Sequence, residues 1–181
     1  MERFFSKAQI GGIDIRKVSK NFEEPRISVE IGDASKPRFL NRIFREYQPS
    51  VIVDDASHFW SHQIIGFETL FLQLPPHGIY IVEDIQTSFL RNEEGNSYAD
   101  HSESFWSYIS RLQAALACGQ NHGPELTAKE AEIVSEIDTI LLSRETVAII
   151  KREAPREVES EIASKKRRQA RRAKAKELAA Q

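Results

Sequence analysis

A single cysteine in 181 residues, Cys118, leaves no disulfide framework and fits a reducing compartment. No apolar run approaches the roughly 20 residues of a membrane span, and the polar start Met1-Glu2-Arg3 lacks a signal peptide's apolar middle. The expectation is a soluble, cytoplasmic protein without a membrane partner. Glycine is also scarce. The eight glycines form no phosphate-cradling loop, and their one adjacent pair, Gly11-Gly12, lies inside an apolar run. No internal repeat is present.

What is present suffices for one domain with a core: 40% of the residues are hydrophobic and 29% charged. The charge is unevenly spread. From Ala154 onward nine Lys or Arg stand against four Glu, a surplus of five, so a formal net charge of -2 leaves -7 on the body. Residues 1–153 therefore read as the domain, closed by Pro155, and 154–181 as a basic helical or disordered tail. The run Lys165 to Lys176 has no interleaved aromatics, so a solvated helix from Glu157 to Ala180 fits it better than a nucleic-acid site.

Apolar runs and helical stripes alternate along the body. Ala8 to Ile15, Ile27 to Ile31, Val51 to Val53 and Ile79 to Val82 read as strands, Lys36 to Tyr47 as an amphipathic helix. Between the last two strands Phe67, Leu70, Phe71 and Leu74 fall at helical spacing, which makes a βαβ unit. Gln86 to His101 is a polar rim loop, Ser104 to Cys118 a helix, and Ile137 to Leu142 with Val147 to Ile150 an antiparallel hairpin. This alternation predicts an α/β domain with a mainly parallel sheet.

The chemistry gathers at strand ends. The third strand stops at Asp54-Asp55, followed by Ala56-Ser57-His58, and the fourth at Glu83-Asp84. Carboxyl ends of parallel strands share one rim, where ligands bind. A single acid there needs no explanation beyond contact with water. Two acidic pairs side by side repel by about 1 to 4 kcal/mol per close pair near a surface, and a hard, oxygen-liganded cation such as Mg²⁺ relieves that. His58, at the turn into the helix, suits proton transfer. His62, one turn later, reads as a polar surface or helix-packing histidine. Phe59, Trp60, Phe89, Tyr98 and Trp106 read as core aromatics or as walls of an acceptor pocket. Asp14 ends the second element of a nucleotide-binding half-sheet, where an acid holds ribose hydroxyls. The matching glycine loop belongs about 20 residues earlier, yet only thirteen residues precede Asp14.

The stretch from Val51 to Phe89, VIVDDASHFWSHQIIGFETLFLQLPPHGIYIVEDIQTSF, with AQIGGIDI and ISVEIGDASKPRFL before it, resembles class I S-adenosylmethionine-dependent methyltransferases of the macrolide-sugar type. These are the metal-dependent enzymes such as mycinamicin and demethylmacrocin O-methyltransferase. The resemblance implies a Rossmann-like methyltransferase sheet and Mg²⁺-dependent methyl transfer to a hydroxyl of a sugar or glycosylated natural product. It further implies Asp55, Glu83 and Asp84 as metal ligands and His58 as general base. Asp14, Asp33, Ala34 and Asp54 would contact the cofactor, S-adenosylmethionine. Ala56 stands for the family's glycine, Pro76-His77-Gly78 for Pro-Gly-Gly, and Leu72 for a usual proline. The chain then starts inside the family's first helix, so a truncated form lacking the first strand and glycine loop is expected. An unpaired edge would favour homo-oligomers. A remnant that binds no cofactor, or a nucleic-acid partner reached through the tail, are the alternatives.

Overall fold

The computed structural model describes residues 6–90, 95–118 and 123–156. The proposed tail helix lies outside them. In chain order the elements are β1 (Ile10–Asp14), β2 (Ile27–Ile31), α1 (Pro37–Tyr47), β3 (Val51–Asp54), α2 (Trp60–Leu70), β4 (Ile79–Val82), α3 (Phe105–Cys118), α4 (Ala128–Glu136), β5 (Ile137–Ser143) and β6 (Thr146–Lys151). Short 3-10 turns cover Lys17–Phe22, Phe71–Gln73 and Ile85–Ser88.

The expected strands and hairpin form, but not as one sheet. β1 and β2 make a parallel pair of their own, while β3, β4, β6 and β5 form a second sheet in that order. β3 and β4 are parallel; β6 pairs antiparallel with both β4 and β5. Among the described residues no ladder joins β1 to β3, so each keeps an unpaired edge. The two sheets are linked through packing of α1 on α2.

α1 begins with Pro37, whose fixed φ suits a first helical position, and buries Leu40 and Ile43. α4, which has no counterpart in the expected element order, starts with a capping box: Thr127 and Glu130 each bond the other's backbone N–H. The core belongs to the four-stranded unit. Phe67 is fully buried among the rings of Phe71, Tyr80, Phe105 and Tyr108, at centroid distances of 5.0 to 6.3 Å across the group.

Two departures from the family pattern can be placed. Ala56 is not among the residues with positive φ, so losing the glycine there adds no backbone strain. His77 does have a positive φ, 62°, at the position where the resemblance implies glycine. A side chain at that conformation costs roughly 1 to 3 kcal/mol, which the rest of the fold must offset.

Candidate functional site

The pairing of β3 with β4 brings both acidic ends to one place, since Asp54 lies opposite Val82 in the ladder. Just beyond, ligand atoms of Asp55, His58 and Asp84 come within 4.8 Å of one another. The imidazole Nε2 of His58 is 3.4 Å from Asp84 Oδ2 and 4.0 Å from Asp55 Oδ1. Asp55 is the most exposed of the three side chains and His58 the least. Glu83, expected as a third carboxylate, is not in this group; its backbone is held instead, with its N–H donating to Asp54 O at 3.0 Å.

Two of the three clustered residues adopt left-handed backbone conformations, His58 at φ 57° and Asp84 at φ 55°. Residues other than glycine hold that conformation only where their surroundings enforce it, and such places concentrate at functional sites. Here Gln86 Nε2 donates to Asp84 Oδ1 at 2.9 Å, and Ile85 N–H donates to Glu145 O in the hairpin turn. The other ring nitrogen of His58, Nδ1, is buried and has no hydrogen-bond partner among the described residues, as is true of Gln63 Oε1 and Gln86 Oε1. The set fits a hard divalent cation: two carboxylates suffice for Mg²⁺, and an imidazole beside them is left to handle a proton.

The neighbouring residues answer the other expectations. His62 is a packing and bonding residue, with Nδ1 2.6 Å from the Ser57 hydroxyl and its ring edge-on to Phe59. Tyr98 lies against both His58 and Phe59, at 6.4 and 5.9 Å between ring centroids, as one side of an aromatic wall. Phe89 and Trp106 pair at 5.6 Å, with Phe89 exposed. The Trp60 indole is spent on a backbone oxygen, that of Thr87, at 3.3 Å.

The four residues expected at a cofactor divide three to one. Asp14 ends β1 with its carboxylate taking the Ser19 hydroxyl at 2.6 Å and the Arg16 N–H at 2.8 Å, which hold it ionised down to about 2. A carboxylate has about four lone-pair sites, so ribose hydroxyls still have acceptors there. Asp33 caps its own turn, accepting the Ser35 N–H at 2.8 Å, with Ala34 beside it; the Ser35 hydrogen bonds keep its carboxyl below the ordinary range. Asp54 turns inward. Tyr80 donates to its Oδ2 at 3.1 Å, and burial pushes the carboxyl up to about 6 against the smaller opposing effect of that bond. A Cβ on Gly66 would come within 2.9 Å of the Tyr80 hydroxyl and 3.0 Å of Asp54 Oδ2, so glycine in α2 makes the room for this pair.

No protein-family model matches the chain. It is 34% identical over 116 residues to 8-demethyl-8-alpha-L-rhamnosyl tetracenomycin-C 2'-O-methyltransferase of Streptomyces olivaceus, a match covering 64% of this chain and 30% of that protein. It is 39% identical over 114 residues to mycinamicin VI 2''-O-methyltransferase of Micromonospora griseorubida, covering 62% and 28%. Among solved structures it superposes on the MycE methyltransferase from the mycinamycin biosynthetic pathway, in complex with Mg, SAH and mycinamycin VI. There the TM-score is 0.67 and the identity 26%, over 84% of this chain and 39% of that one. The chain thus spans about 30% of the length of the curated relatives it matches. At that extent the chain is similar to O-methyltransferases of glycosylated natural products and shares an α/β methyltransferase-like fold with MycE.

Proposed function

We propose that this chain carries the metal and acceptor side of an S-adenosylmethionine- and Mg²⁺-dependent O-methyltransferase whose acceptor is a sugar hydroxyl on a small glycosylated molecule. The observation that carries this reading is the Asp55, His58 and Asp84 cluster, with two members in left-handed conformations and a buried, unpartnered imidazole nitrogen. Asp55 and Asp84 hold the cation, with Glu83 joining them when it is bound. His58 takes the acceptor's proton as general base. Tyr98 and Phe59 form the wall against which a sugar ring lies, a common use of aromatic faces beside polar groups. Asp14 holds the cofactor's ribose, with Asp33 and Ala34 at its adenine; Asp54, turned from the rim, supports the floor. When bound, the cation lowers the acceptor hydroxyl's pKa and the cofactor supplies the electrophilic methyl group.

The same reading gives the split sheet a meaning. The family resemblance puts a strand and its glycine loop between β1 and β3, and neither is present among the described residues. On this reading the described residues supply the cation side of the site, and the cradle for the methionine end of the cofactor is not among them. The chain's open edges favour self-association. Neither a membrane nor nucleic acid enters this reading.

Calorimetric titration tests it. Mg²⁺ should bind the chain and lose affinity in Asp55→Asn and Asp84→Asn, while His58→Ala retains the cation but abolishes any methyl transfer. S-adenosylmethionine binding at micromolar levels would mean the glycine loop is replaced by another part of the chain. Absence of Mg²⁺ binding, or binding indifferent to both Asp substitutions, would sink the reading.

A further inference from the structure

The rim holds a third element that joins the two left-handed residues. Thr87 is 3% exposed, and its hydroxyl lies 2.9 Å from Asp84 O and 3.4 Å from His58 O. The Thr87 N–H also donates to Asp84 O, at 3.1 Å. Its own carbonyl accepts the Trp60 indole N–H at 3.3 Å and the Asn96 amide at 2.6 Å. Thr87 is thereby fixed from both sides, by the start of α2 and by the rim loop, and its hydroxyl spans the carbonyl oxygens of residues 58 and 84.

We infer that Thr87 is a positioning residue, whose hydroxyl sets the spacing of His58 from Asp84 and holds both in their left-handed conformations. The division of labour among its groups supports this. The hydroxyl's single proton is shared between the two oxygens and lies closer to Asp84 O, which has a second donor in the Thr87 N–H, whereas among the described residues Thr87 Oγ1 is the one donor to His58 O. Removing the hydroxyl therefore strips His58 of its support and leaves Asp84 only half released. A carbonyl left without a donor in that environment reorients toward water, and at φ 57° the backbone of His58 has a lower-energy right-handed alternative close by. The imidazole would then leave its place beside Asp84.

The inference rests on the cluster being the metal and proton-transfer centre, and the test separates the two claims. Thr87→Val keeps the shape and removes the hydroxyl; Thr87→Ser keeps the hydroxyl. Backbone ¹³C chemical shifts of His58 and Asp84, recorded without metal, report the left-handed conformation directly. Mg²⁺ titration reports the consequence for the site. The expected result is that Thr87→Val shifts the His58 resonances toward right-handed or extended values and Asp84's to a smaller extent. Mg²⁺ affinity then falls less than the roughly 10- to 100-fold usual on losing an outer partner of a metal site, because His58 is not a ligand and Asp84 O keeps the Thr87 N–H. Thr87→Ser should stay near wild type in both. Thr87→Val lowering the melting temperature while the His58 and Asp84 shifts stay put would overturn the inference and leave Thr87 as ordinary core. Shifts that move in a chain that never binds Mg²⁺ would uphold Thr87's positioning role and reject the metal centre instead.

Discussion

Two parallel strands in different sheets end in aspartate, and their carboxyl pKa values are pushed in opposite directions. Asp14, at the end of β1, keeps its charge down to about 2 because the Ser19 hydroxyl and the Arg16 N–H donate to it. Asp54, at the end of β3, is pushed up to about 6 because burial outweighs its one hydroxyl donor, Tyr80. The surroundings account for the difference. The two-stranded unit is thinly covered, with Ile15, Val18 and Phe22 70%, 59% and 71% exposed. The four-stranded unit has helices packed on it, and its Tyr80 and Val82 are 1% and 0% exposed. An acid at a strand end is thus an ionised, solvent-facing group or a buried one according to what covers the strand.

The contrast in packing should give the largest effect. Phe67→Ala, in the aromatic centre, should cost about 3 to 5 kcal/mol of unfolding free energy. Phe22→Ala, on the exposed turn after β1, should stay within about 0.5 kcal/mol. Urea unfolding of the two variants checks this. A large loss at Phe22 would mean that face is covered in solution.

The carboxyl contrast gives the next. A group whose pKa is raised by folding is neutral in both states at low pH, so its stabilising influence is complete below its ordinary value of 3.8. As pH rises, the unfolded chain ionises first, and stability falls until the folded carboxyl ionises near 6. At about 1.4 kcal/mol per pKa unit the fall is up to roughly 3 kcal/mol. Unfolding titrations in EDTA, which keeps cations out of the neighbouring site, should show that slope in wild type and lose it in Asp54→Asn. Gly66→Ala acts on the same pair more weakly. Helix propensity favours alanine by about 1 kcal/mol, but crowding of this sort typically costs 1 to 3 kcal/mol. A net loss of about 1 kcal/mol is expected; a gain would show that Tyr80 and Asp54 can move apart freely.

Much of this arrangement is legible in the sequence. The strands at Ile27 to Ile31 and Ile79 to Val82 and the helix ending at Tyr47 follow from periodicity. Neighbouring strand ends then brought Asp55, His58 and Asp84 to one rim. The inward turn of Asp54 was legible in principle, because side chains alternate along a strand and it shares a face with Ile52. What could not be read was the Gly66 space that receives it. Thr87 belongs to the motif from Val51 to Phe89, but spacing alone gives it no role, because that role depends on two carbonyl oxygens from residues 29 and 3 positions away in sequence. The capping box at Thr127 and Glu130 was a signal for α4 that the short apolar stripe there concealed.

The smallest effect belongs to Asp14, and its sign is opposite to that of Asp54. A pKa lowered by folding gives stability that is complete above the ordinary value of 3.8 and is lost as pH falls toward about 2. The Ser19 hydroxyl is the first cause, ahead of the Arg16 N–H, so Ser19→Ala should raise the Asp14 pKa more than Arg16→Ala does. Arg16 also acts through its backbone, which alanine retains, and its guanidinium is 3.4 Å from Asp14 Oδ2 with a side chain three-quarters exposed. An ion pair in that setting contributes little. Carboxyl ¹³C titration of Asp14 in the two variants decides the order. If Arg16→Ala gives the larger rise, the loop after β1 is held by charge and its hold on Asp14 should weaken with salt; if Ser19→Ala does, the hold is a hydrogen bond and salt should leave it unchanged.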